Sequence, residues 1–169
     1  MLDITEFSTK GFVKLHEPDG LDIISIDRFR LPNTEERLRD NTKNDVDPEL
    51  AVRMDTFAYY LQTKYINPIW PGNRYNKFIA FEDVDKDNQG WHTDMFEKYD
   101  MFFLYYLDDT HEATGGSIHF KWKTNGIEET YSFQPKAGDL VLVNNSKGFW
   151  HRAESTSIKR RVVSFDFNI

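Results

Sequence analysis

No cysteine occurs anywhere in the 169 residues of this chain. That excludes disulfides, thiolate zinc sites and cysteine nucleophiles, and it leaves nitrogen and oxygen to hold any metal. Cations are in the minority: 21 Lys and Arg against 28 Asp and Glu, a formal net charge of −7. A general affinity for nucleic acid or an anionic membrane needs a basic face, so neither partner is expected. No apolar run approaches the roughly 18 residues that a membrane-spanning helix requires. The start, MLDITEFSTKG, lacks the basic stretch and apolar run of a secretory signal. The expectation is a cytoplasmic enzyme or binding protein.

What is present is a core-forming composition: 39% hydrophobic residues and 15% aromatics. Residues 1–169 are read as a single domain, with a mixed, helical support region over 1–74 and the main body over 75–169. In the first region GFVKLHE and LDIISIDRF read as short strands, followed by polar helical material. Asp47 and Pro48 form an N-cap and first helical position. From there PELAVRMDTFAYYLQTKYI spaces Leu50, Met54, Phe57, Tyr60, Leu61 and Tyr65 mostly three or four apart, an amphipathic helix ended by NPIWPGN. After residue 75 the pattern changes to short strands: NKFIAFE, DMFFLYYLD, GGSIHFKW, ETYSFQP, DLVLVNN and RRVVSFDFN. Many short strands at close spacing suggest a sandwich or barrel, with the preceding helix packed outside one sheet. Gly115-Gly116 predicts a close strand approach or bulge, and Gly138-Asp139 a tight turn.

The stretch GWHTDMF places His92 and Asp94 two residues apart, in a chain with five histidines. In an extended segment alternate side chains share a face. His151 follows the strand DLVLVNN, and Arg160 and Arg161 open the last strand nine and ten residues later. Two histidines and one carboxylate occupy one face of an octahedral ion and leave three positions open, as in non-heme Fe(II) oxygenases. His-x-Asp by itself is a weak signal. The ordered set of His-x-Asp, a Gly-Gly strand, a Gly-Asp strand, a histidine and an arginine is a strong one.

On these residues the second half of the chain resembles the 2-oxoglutarate and Fe(II)-dependent oxygenase superfamily, and within it the prolyl-hydroxylase-like branch. The family motif of His-x-Asp, histidine and then arginine or lysine reads here as His92-Thr93-Asp94, His151 and Arg160 or Arg161. The intervening YYLDDTHEATGGSIHF, from Tyr105 to Phe120, is similar to the family's YYLN…GG stretch. The resemblance spans residues 75–169. It implies a mainly β fold with N-terminal helices: a double-stranded β-helix, jelly-roll or cupin-like, with the helices on the larger sheet. It further implies Fe(II) held by His92, Asp94 and His151, with 2-oxoglutarate as co-substrate and O2 as oxidant.

The far carboxylate of 2-oxoglutarate needs a cation, and a guanidinium holds a carboxylate through two parallel bonds. Strand alternation in RRVVSFDF puts Arg160, Val162, Ser164 and Asp166 on one face and Arg161, Val163, Phe165 and Phe167 on the other. The outer face should carry the bulky apolar residues, which favours Arg160 inward, with Ser164 assisting. The family's commonest spacing, ten residues after the histidine, favours Arg161. Both remain candidates at this point. By resemblance Tyr106 supplies a hydroxyl to the co-substrate carboxylate, and Phe102, Leu104 and Ile118 line the cavity. Trp91 and Trp150, each preceding a metal histidine, either wall the site or pack. His16, His111 and His119 match no motif position and read as structural or surface residues.

The implied reaction couples oxidative decarboxylation of 2-oxoglutarate, giving succinate and CO2, to oxidation of an unactivated C–H bond. Because Asp94 retains the carboxylate that halogenating relatives lose, hydroxylation is the expected outcome. The substrate is expected to be a small molecule, an amino acid or a peptidyl residue. Acidic loops at 82–90 and 97–101 would favour a cationic or zwitterionic one. Two other readings compete: a non-catalytic jelly-roll binding protein, and a cupin-like metalloenzyme that does not use 2-oxoglutarate.

Overall fold

The computed structural model describes residues 2–24, 47–83, 90–94, 100–146 and 148–169. Its helices are α1 (Ile4–Lys10), α2 (Asp19–Ile24) and α3 (Pro48–Leu61), the last running into a π-helical turn over Gln62–Ile66. Its strands are β1 (Phe12–His16), β2 (Arg74–Asp83), β3 (Met101–Tyr106), β4 (Ile118–Thr124), β5 (Ile127–Phe133), β6 (Asp139–Asn144), β7 (Trp150–Ala153) and β8 (Arg160–Asn168). They form two antiparallel sheets, a larger one in the order β1-β6-β3-β8-β2 and a smaller one in the order β5-β4-β7. This is the expected mainly β, jelly-roll architecture. Among the described residues no helix is long and apolar enough to cross a membrane.

The helix read at 48–61 forms where the N-cap signal placed it. The Asp47 carboxylate accepts from the backbone N–H of Glu49 at 2.8 Å and of Leu50 at 3.4 Å, and Pro48 occupies the first turn. Its apolar face buries Leu50, Met54, Phe57 and Leu61 against the outer side of the larger sheet, meeting Phe103, Tyr105, Val163, Phe165 and Phe167. Phe57 packs edge-on to Tyr105 and Phe165, at 4.7 and 5.7 Å between ring centroids. Burying one such ring contributes about 1.5–3 kcal/mol.

A second core fills the space between the sheets. Phe12, Ile79, Phe102, Tyr106, Val141, Val143 and Val162 of the larger sheet face Ile118, Phe120 and Trp122 of the smaller. The alternation along β8 is therefore as read: Val162 points between the sheets, whereas Val163, Phe165 and Phe167 point at the helices. The larger sheet draws one of its two edge strands, β1, from the N-terminal region, where it pairs with β6 from Phe12↔Val143 to His16↔Asp139.

One strand assignment is corrected. The described part of LDIISIDRF, residues 21–24, belongs to helix α2. Pro18 and Glu17 start a turn there, with Gly20 N–H bonded to Glu17 C=O and Leu21 N–H to Pro18 C=O. A short apolar run suits either element, and packing decides: a Cβ at Gly20 would lie 2.4 Å from the Phe57 ring, so the turn sits directly on α3. Residues 25–29 of that stretch, the polar segment after it up to residue 46, and most of the acidic loops (84–89 and 97–99) lie outside the described residues. Strand β7, which carries His151, was not foreseen as a strand.

The tight connections use residues that tolerate positive φ. Asn125 and Gly126, both at positive φ, close the β4–β5 hairpin. Gly115, at φ +72°, brings its backbone so close to the chain at 155 that a Cβ there would sit 2.5 Å from the Ser155 carbonyl oxygen.

Candidate metal centre

His151 is placed by β7, which pairs with β4 so that Phe120 lies opposite it. His92 stands on no long strand. It is joined to His151 by an isolated antiparallel bridge, His92 N–H to His151 C=O at 3.1 Å and His151 N–H to His92 C=O at 3.0 Å. Residues directly opposite in such a pair project to the same face. The two imidazoles accordingly approach with ring centroids 4.3 Å apart.

Asp94, two residues on, brings its carboxylate between them: Oδ1 lies 3.9 Å from His92 Nε2 and Oδ2 lies 3.5 Å from His151 Nε2. One ligand atom from each of the three residues falls within 4.8 Å of the other two. The backbone around this carboxylate is tethered from the larger sheet by Asn145, whose Nδ2 donates to the Asp94 carbonyl at 2.9 Å.

The protonation chemistry suits a cation. His92 Nδ1 lies 2.8 Å from the Gly90 carbonyl, so the Nδ1–H tautomer donates there and leaves the Nε2 lone pair directed at the cluster. Burial, with a smaller contribution from neighbouring His92, pushes the His151 pKa down to about 3. Its ring is neutral near pH 7 and retains a donor lone pair. Two imidazoles and a carboxylate, half-open to solvent on the Asp94 side, form a donor set that fits a divalent ion and leaves room for further ligands.

The two candidate arginines separate cleanly. Arg160 is buried, on the same face of β8 as Val162, and its Nη1 donates to the carbonyls of Gly116 at 3.0 Å and Glu154 at 3.4 Å. Arg161 points the other way and is held by Asp108: Nε donates to both carboxylate oxygens at 3.1 and 2.9 Å, and Nη2 to Oδ1 at 2.5 Å. Tyr106 is buried on the inner face of β3, edge-on to Phe133. Phe102 lies on the same face, 5.6 Å from the His151 ring. Leu104 and Ile118 belong to the same inner cluster. Ser164 is also inward, and its hydroxyl donates to the buried Asp166 carboxylate at 2.9 Å.

The remaining histidines are engaged elsewhere. His16 pairs with Asp139 at 3.2 Å, His119 with Glu154 at 2.8 Å, and His111 leads a short 3-10 turn over Glu112–Thr114. Burial alone would raise the Glu154 carboxyl, but hydrogen bonds from His119 and Ser117 outweigh it and hold the group below its usual range. Three contributors escaped the sequence reading. Asn145 is one. The others are Lys121 and Arg152, which stack on the indoles that precede His92 and His151. Their only sequence signal is alternation along β4 and β7, which marks a face and not a partner.

Comparison with known proteins points the same way. The sequence model of one family, described as the 2OG-Fe(II) oxygenase superfamily, matches residues 73–167. No curated protein matches the sequence. Among solved structures, a prolyl-4-hydroxylase from Pseudomonas putida is similar with a TM-score of 0.60 at 14% identity, over 98% of this chain and 91% of that one. HygX from Streptomyces hygroscopicus, with iron bound, is similar with a TM-score of 0.67 at 13% identity, over 98% and 84%. A prolyl hydroxylase from Trichoplax adhaerens, in complex with a hypoxia inducible factor peptide fragment, has a TM-score of 0.60 at 12% identity, over 98% and 86%. At such identities the likeness is one of fold.

Proposed function

Since the chain belongs to the 2OG-Fe(II) oxygenase superfamily, we propose that His92, Asp94 and His151 hold its Fe(II) and that Arg160 receives the far carboxylate of 2-oxoglutarate. The protein is an Fe(II)- and 2-oxoglutarate-dependent dioxygenase; the residue roles and the hydroxylation outcome are our reading. The single observation that carries it is the convergence of two imidazoles and a carboxylate within 4.8 Å.

When bound, the iron and its co-substrate supply oxidative decarboxylation by dioxygen, yielding succinate, CO2 and the power to oxidise an unactivated C–H bond. The chain supplies the rest. Gly90 holds the His92 tautomer, Asn145 holds the Asp94 backbone, and the dry packing around His151 keeps that imidazole deprotonated. Arg160 offers a permanent charge on the inner wall between the sheets, where Coulombic attraction is less screened than in water. Arg161 serves as a strut to Asp108. Tyr106 lies on the inner face of β3 opposite Val162 of β8, and in this reading its phenolic hydroxyl serves the co-substrate. Ser164 braces Asp166 behind it. The apolar surface of Phe102, Leu104 and Ile118 excludes water from the reacting centre.

The substrate is a small molecule or a peptidyl residue, and the retained Asp94 carboxylate supports hydroxylation. Residues 1–169 act as one catalytic unit in this reading, with β1 of the N-terminal region completing the larger sheet.

The test is succinate release from 2-oxoglutarate by the Fe(II)-loaded protein, together with the visible absorption band of the anaerobic Fe(II) and 2-oxoglutarate complex. Both are expected in the wild type and both are expected to vanish in His92→Ala and Asp94→Ala, with unchanged far-UV circular dichroism. A wild-type band that persists in both variants would overturn the ligand assignment.

A further inference from the structure

The outer face of the smaller sheet carries a stack unrelated to either core. Trp91 precedes His92 and Trp150 precedes His151. Through the bridge between the two histidines, Trp91 lies diagonally across from Trp150 on the face opposite the metal cluster. Lys121 of β4 sits opposite Trp150 in the sheet register. Its Nζ lies 4.8 Å from the centre of the Trp91 ring and 5.5 Å from that of Trp150. The Arg152 guanidinium lies 5.1 Å from the Trp91 ring, and His119 meets the same indole edge-on at 6.3 Å. All of these side chains are half-buried.

This matters because, among the described residues, the segment 90–94 meets the smaller sheet through the two hydrogen bonds of the His92–His151 bridge. A two-bond bridge fixes where the backbone meets its neighbour but resists rotation about that contact poorly. The Trp91 indole spreads over Lys121 and Arg152, anchoring the segment from the side away from the metal. Among the described residues Lys121 is the cation that lies over both indoles. Glu128 approaches its Nζ at 3.8 Å and helps keep it over the rings.

We propose that Lys121 is a positioning residue of the metal centre. It binds the indoles of Trp91 and Trp150 together and so sets the relative placement of His92 and His151, which each indole directly precedes. The proposal rests on the metal-ligand reading above. Lys121 touches neither metal nor substrate; it acts through the two tryptophans, as outer groups that orient ligating histidines do at other metal sites.

The experiment titrates Fe(II), anaerobically, into the full chain while tryptophan fluorescence is followed, in wild type, Lys121→Met, Lys121→Arg, Trp91→Leu and His92→Ala. Lys121→Met retains the aliphatic stem and removes the charge. The expected result is Fe(II) affinity weakened about tenfold in Lys121→Met. Lys121→Arg should remain within about threefold of wild type, because a guanidinium also stacks on indole. The Lys121→Met/Trp91→Leu double variant should bind no more weakly than Trp91→Leu alone, since the lysine acts through that ring. The KM for 2-oxoglutarate at saturating iron should be unchanged.

Wild-type affinity in Lys121→Met, alongside lost binding in His92→Ala, would overturn the proposal and leave the ligand assignment standing. Strictly additive losses in the double variant, or no rescue by arginine, would also overturn it. Iron binding unaffected in His92→Ala would overturn both readings together.

Discussion

Arg160 and Arg161 are adjacent in the chain and serve opposite sides of one strand: the first enters the space between the sheets, and the second leaves it to bind Asp108. Their substitution should therefore give opposite phenotypes. In Arg160→Gln the KM for 2-oxoglutarate should rise at least about thirtyfold, the factor that loss of a partly desolvated charge pair worth about 2 kcal/mol produces. Arg161→Gln should leave that KM within about twofold and lower unfolding stability by about 1–2 kcal/mol, because it breaks a bidentate pair at a half-buried site. Steady-state kinetics and urea unfolding separate the two. The reverse pattern would reassign the co-substrate cation to Arg161.

Asn145 ties the segment bearing Asp94 to the end of β6 through a hydrogen bond to the Asp94 carbonyl. Asn145→Ala should weaken Fe(II) binding by roughly tenfold, as loss of an orienting partner does at metal sites. It should leave the thermal midpoint of the metal-free protein only slightly lowered. Calorimetric titration with Fe(II) measures the first and a melt measures the second. An unchanged iron affinity would show that Asp94 is held by other contacts.

The buried His151 imidazole predicts a pH dependence for the metal-free chain. Its pKa is about 3 in the fold and about 6.5 when unfolded. Above pH 6.5 neither state takes up the proton, and stability is indifferent to it. As pH falls from 6.5 toward 3, the unfolded chain binds a proton that the folded chain refuses, so stability is progressively lost across that window. Urea midpoints at pH 5.0, 6.0 and 7.5, chosen to stay above the range where ordinary carboxylates titrate, should fall on acidification in wild type. They should fall less in His151→Asn. Equal slopes would mean that His151 is more hydrated than its packing indicates.

Glu17 is buried after β1 and collects donors from three directions: the Tyr60 hydroxyl at 3.0 Å, the Lys64 ammonium at 2.6 Å and the Tyr65 hydroxyl. Its backbone carbonyl takes the Tyr105 hydroxyl at 2.8 Å. Glu17→Gln should cost about 2–4 kcal/mol, since it leaves buried donors facing an amide that also donates. Lys64→Met, at a half-exposed ammonium, should cost under about 1 kcal/mol. Chemical denaturation measures both. Succinate release at low temperature should be preserved in each, because this cluster lies on the helical side of the larger sheet.

The residue pattern alone determined the features that rest on local chemistry. The N-cap at Asp47, the apolar period of α3, the close approach at Gly115-Gly116, the alternation along β8 and the family motif at 92, 94 and 151 were all legible. Each is set by neighbours a few residues away, or by residue types that recur in fixed order. Packing decided the rest. Residues 21–24 read as strand and fold as helix because Gly20 must lie against Phe57, a contact across 37 positions that no local period encodes. Which of Arg160 and Arg161 enters the space between the sheets depended on which face of β8 meets the helices, and on Asp108 holding the outward one. The His92, Asp94 and His151 cluster requires an isolated two-bond bridge between His92 and His151, and the Lys121 stack behind it requires β4 and β7 to lie side by side. Spacing can nominate such residues, but only the long-range hydrogen bonding of two sheets brings side chains about 60 positions apart within reach of one ion.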